Sequence, residues 1–269
     1  MLETLCLWAG VGSYELSAVV LLWPTSGDRT LRQLPYYLLA LGVALLAIAI
    51  TVRWLTLAQG PFMTMYEVLL SNAFSLGLVT AIIYFWIPSA RHGAVFVLPF
   101  LCMLGLWALT VSPEQVPLPP TFDNPWLWVH VLTGKLFLGT FLPAVGLACV
   151  LLFNHGLLRM GDPVIVYEPE RLDLLIWRLV AVAFIFDSFM LVAGSVWAHD
   201  AWGRYWSWDP LETWALITWL ALAIILHMRL TFNVPKWVNW LMLVGVLVLA
   251  FLTFFGVPFL SLIPHSGVM

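Results

Sequence analysis

The chain reads as a succession of long apolar runs separated by short polar breaks. The apolar positions neither alternate nor gather on one face. They fill whole stretches of about 20 residues, the length that crosses a hydrocarbon layer. Breaks at proline, glycine and charge predict eight helices, near 5–23, 34–57, 66–87, 92–111, 126–158, 172–198, 210–230 and 237–260. Lipid offers no partner for a bare peptide group, so spans of this kind are helical. The expected fold is all-α, a polytopic integral membrane helical bundle. The fifth helix is long enough to tilt or to project beyond the bilayer. No repeat and no separating linker stands out, so residues 1–269 read as a single membrane domain. Its longest extramembrane piece is the Pro-rich "SPEQVPLPPTFDNP" of 112–125, a stiff loop.

Composition agrees with this pattern. Hydrophobic residues make up 62% of the chain and charged residues 9%, against about a quarter charged in soluble domains. A net charge of −3 on so few ionisable groups selects no partner, and nothing points to nucleic acid. The first helix lacks a basic flank and a cleavage site, so it reads as a permanent span. Cys6, Cys102 and Cys149 lie in separate apolar runs without C-x-x-C spacing, which argues against a disulfide framework or a thiolate metal site. No nucleophile–base pair is present, so acyl and phosphoryl chemistry are not expected.

Charge placement orients the bundle. Arg29, Arg32, Arg91, Arg159, Arg171, Arg229 and Lys236 fall in alternate loops, which the positive-inside rule assigns to the cytoplasm. Both termini, the Pro-rich loop and the loop after the sixth helix are then outside. Arg53, Lys135 and Arg204 lie toward the outer half, against that bias. Snorkelling to headgroups accounts for any one of them. Three near one aromatic loop point to an anionic ligand at the outer surface.

That loop, expected at 197–209, belongs to "VWAHDAWGRYWSWDPLETWALITWL", which starts at Val196. Its end has a structural account: Asp209 caps the seventh helix, Pro210 fits the first helical position and Glu212 reaches back. The rings are another matter. An interfacial belt explains two or three of Trp197, Trp202, Tyr205, Trp206, Trp208 and Trp214. The remainder suit a large, planar, apolar ligand.

"WAHDAWGRYWSWDPLETWALITWLALAIILHMR" resembles the tryptophan-rich signature of the haem-handling cytochrome c biogenesis proteins, the WWD family, in its CcsA/ResC type; CcmC and CcmF are relatives. "NPWLWVHVLTGKLFLG" (124–139) is similar to the family segment carrying the first external histidine, "FFGVPFLSLIPHSG" (254–267) to the closing segment with the second, and "GPFMTMYEVLL" (60–70) to the opening of an early helix. The family's usual Asp-Pro-Lys-Glu is Asp209-Pro210-Leu211-Glu212 here, one lysine short, and Pro258 stands where asparagine is usual.

Six histidines sort by topology. His130, at the outer end of the fifth helix, and His265, beyond the eighth, share the level of the aromatic loop. Two opposed imidazoles complete the axial coordination of haem iron, and both positions match the family's external ligands. His227 lies roughly 27 Å down the seventh helix from Asp209, out of reach of that site. The resemblance implies that it helps hold haem within the membrane, with a second histidine supplied by a CcsB/ResB-type subunit. His199 is placed to touch a ligand but not to ligate it, and His92 and His155 read as interfacial. Glu15, Glu67 and Asp187 sit in or near spans, with pairing to a basic group or water as their account.

The resemblance implies cytochrome c maturation. Haem b crosses the membrane, is held at the external site, and is offered to the CxxCH of apocytochrome c, whose thiols a thioredoxin-like protein keeps reduced. Any haem lyase activity would act by position. The implied location is the bacterial cytoplasmic membrane with the haem site on its outer face, a plastid thylakoid being the other possibility. A haem exporter or assembly factor without ligation activity is an alternative. A membrane b-type cytochrome is another, but its histidine pairs would face each other at membrane depth. A transporter would show broken helices.

Overall fold

The computed structural model describes residues 1–23, 29–60, 63–154 and 168–256. Eight helices of membrane-crossing length and hydropathy are found among them, and no strand. The helices pack as two compact units that meet in sequence at Leu118 and Pro119, within the Pro-rich stretch. Where the sequence reads as one domain, each unit has four helices of its own.

The first unit holds α1 (Leu2–Leu22), α2 (Arg29–Leu57), α3 (Met65–Trp86) and α4 (Ala94–Thr110), with a 3-10 turn at Pro88–Gly93 before α4. α3 starts at a full capping box. The Thr64 hydroxyl accepts from the Glu67 amide, and the Glu67 carboxylate accepts from the Thr64 amide. α1 turns two of its hydroxyls inward onto backbone acceptors: Ser13 Oγ donates to Leu38 O at 2.7 Å, and Ser17 Oγ to Pro35 O at 2.7 Å. A hydroxyl facing hydrocarbon without a partner would be costly, so these bonds fix which face of α1 meets α2.

The second unit holds α5 (Pro125–Asn154), α6 (Pro169–Trp202), α7 (Pro210–Thr231) and α8 (Lys236–Phe251), the last running into a π turn at Leu252–Gly256. α5 is apolar all round and buried almost continuously from Phe137 to Leu152, as a helix at the centre of a bundle should be. Leu172, Ile176, Val180, Ala183, Asp187, Met190 and Trp197 recur along α6 at helical spacing and form its buried stripe. Only Thr218, Leu222 and Ile225 of α7 are buried. That is no penalty for a helix whose other faces meet lipid.

The predicted spans and the observed helices agree to within a few residues where their ends are described, the predicted ends at 158 and 260 lying outside the described residues, with two informative differences. α6 runs four residues past its expected end and takes in His199 and Trp202. Nothing stops it before Gly203, whose φ of 72° and N–H hydrogen bond to His199 O form a left-handed cap that a side chain would strain. The loop proper is therefore short, Gly203–Asp209. α2 starts five residues early and keeps Pro35 inside it.

Candidate functional site

α5 begins, α6 ends and α7 begins at one end of the second unit, and the aromatic cluster gathers there. His130 is half-buried in the first turns of α5. Its ring lies directly on α6 at Gly194, where a Cβ would stand 2.7 Å from His130 Nδ1. Nδ1 is 2.9 Å from Met190 O. A carbonyl only accepts, so this bond puts the proton on Nδ1 and the lone pair on Nε2. An axial iron ligand needs that tautomer, held by an outer hydrogen bond.

Trp197 forms the wall behind this histidine. It is buried, its Nε1 donates to Thr121 O at 2.9 Å, and its ring stands edge-on to Phe122 and Trp202, with centroids at 5.3 and 5.0 Å. The His130 ring lies nearly parallel to it at 6.3 Å. Trp197 is thus core rather than exposed shelf. Of the other rings, Tyr205 and Trp208 are exposed, while Trp202, Trp206 and Trp214 are half-buried. Tyr205 stacks on His199 at 4.2 Å, and Trp206 meets Trp208 edge-on at 5.8 Å. The Trp206 indole N–H is buried without an acceptor among the described residues. Trp208 sits at φ 60°, a strained setting for a bulky side chain, and it turns its ring outward.

The loop is braced from α7. Asp209 accepts from the Glu212 amide at 2.8 Å, as the sequence predicts. Glu212 reaches back to the Ser207 amide at 2.7 Å and to its hydroxyl, two residues beyond the expected box. Both acids are therefore engaged in holding the loop. A bond from Asn124 Nδ2 to Asp200 Oδ2 at 3.0 Å ties the start of α5 to the end of α6. Arg204 is exposed beside Gly203, and Lys135 is half-buried in α5 below His130. His265 and Pro258 lie outside the described residues, as do His155 and Arg159.

His227 stands exposed at the opposite end of α7, its ring against Phe232. Beside it is a cluster that sequence reasoning missed. Buried Asp173 accepts from Arg229 at 2.6 Å, from Trp240 Nε1 at 2.8 Å and from Trp177 Nε1 at 3.3 Å, which joins α6, α7 and α8. The one local clue was an acid and a tryptophan four residues apart on α6. Arg53 is in the first unit. It is buried, with Nε on Glu67 at 2.8 Å, Nη1 on Glu3 at 3.3 Å and Nη2 on Glu114 O at 2.7 Å. Its charge is neutralised there, and Glu67 has the basic partner that its place in a span called for.

The arrangement offers one oriented imidazole beside exposed aromatic faces, an unmet indole donor and a cation. Among the described residues no three His, Cys, Asp or Glu side chains converge on a point. A single oriented imidazole suits an iron already held by a macrocycle. These residues fit a porphyrin.

The chain is 32% identical to the cytochrome c biogenesis protein CcsA of Chlamydomonas reinhardtii, over 74% of this chain and 58% of that protein. It is 27% identical to CcsA of Prochlorococcus marinus strain MIT 9312, over 90% and 88%. Among solved structures it resembles the cytochrome c haem lyase CcmF, with a TM-score of 0.73 at 17% identity. That alignment covers 94% of this chain and 46% of CcmF, a likeness of fold. The cytochrome c assembly protein family matches residues 35–265, from within α2 to beyond α8, which include every candidate haem ligand, and the chain belongs to that family.

Proposed function

We propose that the second unit binds haem b at its tryptophan-rich end, through His130, and offers it for covalent attachment to apocytochrome c. The observation that carries this reading is the His130 ring, held on α6 with Nδ1 committed to Met190 O. His265, outside the described residues, would supply the second imidazole to the iron. Tyr205 and Trp208 would stack against the haem, the Trp206 N–H and Arg204 would hold its polar edge, and Lys135 would be the second cation for the propionates. Trp197, Trp202 and Trp214 back the site, and Asp209 holds the loop in place. Arg53 keeps its charge for the first unit.

Attachment adds each cysteine S–H of a CxxCH across a vinyl group, forming one C–S and one C–H bond with no leaving group. The chain then needs no nucleophile. It acts as a positional haem lyase, raising the effective concentration of thiol at the vinyl carbon. His227 belongs to an inner site that haem visits first, completed by a CcsB/ResB-type subunit. A thioredoxin-like protein keeps the thiols reduced. The tryptophan-rich end faces outward from the cytoplasmic membrane.

The test is co-expression of the chain and its ResB-type partner with an apocytochrome, scoring covalent haem on the cytochrome. Wild type yields haem-stained cytochrome, and His130→Ala and His265→Ala yield little or none. Export of free haem without covalent product from wild type would instead identify an exporter.

A further inference from the structure

α1 carries an exposed seam that nothing in the haem site uses. Its buried residues, Cys6, Leu7, Gly10, Val11, Tyr14 and Ser17 among them, pack within the first unit. On another face stand Leu5, Trp8, Gly12, Glu15, Val19 and Leu22, spaced alternately by three and four. That spacing keeps one line facing a partner helix along the whole of α1. Leu5, Trp8, Val19 and Leu22 are each more than half exposed. Gly12 is exposed too, and a Cβ built there meets nothing within 4 Å, so another backbone has room to approach closely.

Glu15 breaks this apolar line. It sits at the side of a groove of about 420 Å³ between α1 and α4, with Val19, Pro99, Cys102, Met103 and Leu106. No hydrogen bond or ion pair reaches its carboxyl among the described residues. The other acids of this unit's helices, Glu3 and Glu67, are both bonded to Arg53. Glu15 is seven residues from the end of α1, about 10 Å into the layer, too deep for a lipid headgroup. A carboxyl at that depth is costly unless a basic or donor group meets it.

We infer that the seam of α1, with Gly12 at its closest point, docks a membrane-spanning helix of another subunit that carries one lysine or arginine at the depth of Glu15. Two copies of α1 paired in parallel through this seam would set carboxyl against carboxyl, so the occupant is a basic helix and not a second α1.

The probe is a synthetic leucine-rich membrane-spanning helix with a single lysine at Glu15 depth, compared with the same helix lacking the lysine. Energy transfer to the labelled full chain in phosphatidylcholine vesicles reads association. The lysine helix binds about tenfold more tightly than the plain one, and Glu15→Leu removes the difference. Gly12→Ile, which leaves the carboxyl in place, weakens binding of the lysine helix by obstructing approach. Equal binding of the two helices, binding of neither, or a lysine preference that survives Glu15→Leu would overturn the proposal. A chain dimer that excludes the probe and persists in Glu15→Leu would also overturn it, assigning the seam to self-association.

Discussion

At the scale of single residues, tertiary partners decide what each charged or aromatic side chain does. Arg53 shows this best. Its position in the sequence resembles that of a cation awaiting an anionic ligand, yet Glu3, distant in sequence, and Glu67 close around it. Removing one member of a buried ion pair leaves the other uncompensated, at a cost of about 3–5 kcal/mol. Arg53→Met should therefore lower the thermal stability of the detergent-solubilised protein by that order. The haem absorption of the molecules that remain folded should be unchanged. Loss of haem with stability intact would instead give Arg53 a ligand role. Trp197 makes the same point among the rings. Six aromatics in one stretch announce a special site, but not that Trp197 is buried with its N–H on Thr121 O. The Asp209 cap was legible because a helix start is written in consecutive residues. The pairings of Arg53, Asp173 and Trp197 were not, because each partner lies in another element.

At the scale of elements, hydrophobic length carries nearly all the information. Every predicted span is a helix, because a run long enough for the bilayer has no other way to satisfy its backbone. The ends are less legible. α6 continues to Trp202 because an apolar run does not say where a helix stops, whereas Gly203 with its positive φ does. The contact of α5 with α6 sets the candidate ligand. Gly194 is the one point where α6 is thin enough for an imidazole to lie on its backbone, and Gly194→Ala puts a methyl 2.7 Å from His130 Nδ1. The expected result is a displaced His130 and a strained packing, costing about 1–3 kcal/mol. In haem-loaded protein it should appear as a smaller low-spin fraction, with Ser195→Ala as an unaffected neighbour. An unchanged spectrum in Gly194→Ala would show that the ring need not rest on α6.

At the scale of the whole molecule, the chain is two four-helix units, and the candidate haem residues that are described, other than Arg53, lie in the second. The positive-inside rule, applied to the charge asymmetry of the loops, predicts that the tryptophan-rich end lies outside. With Cys6, Cys102 and Cys149 replaced by alanine, a cysteine at exposed Asp123 should react with an impermeant maleimide in intact cells. One at exposed Asn233 should react only after lysis. The reverse pattern would invert the orientation and place the haem end in the cytoplasm.

His130, oriented by Met190 O, is proposed as an axial ligand to haem at this end of the molecule. The visible spectrum of the detergent-purified chain and its His130→Ala variant, each with and without added imidazole, tests it most directly. Wild type should show a low-spin haem spectrum, lost or converted to high spin in His130→Ala and restored by imidazole. An identical low-spin spectrum in both proteins would contradict it, because the iron would then be held by other residues.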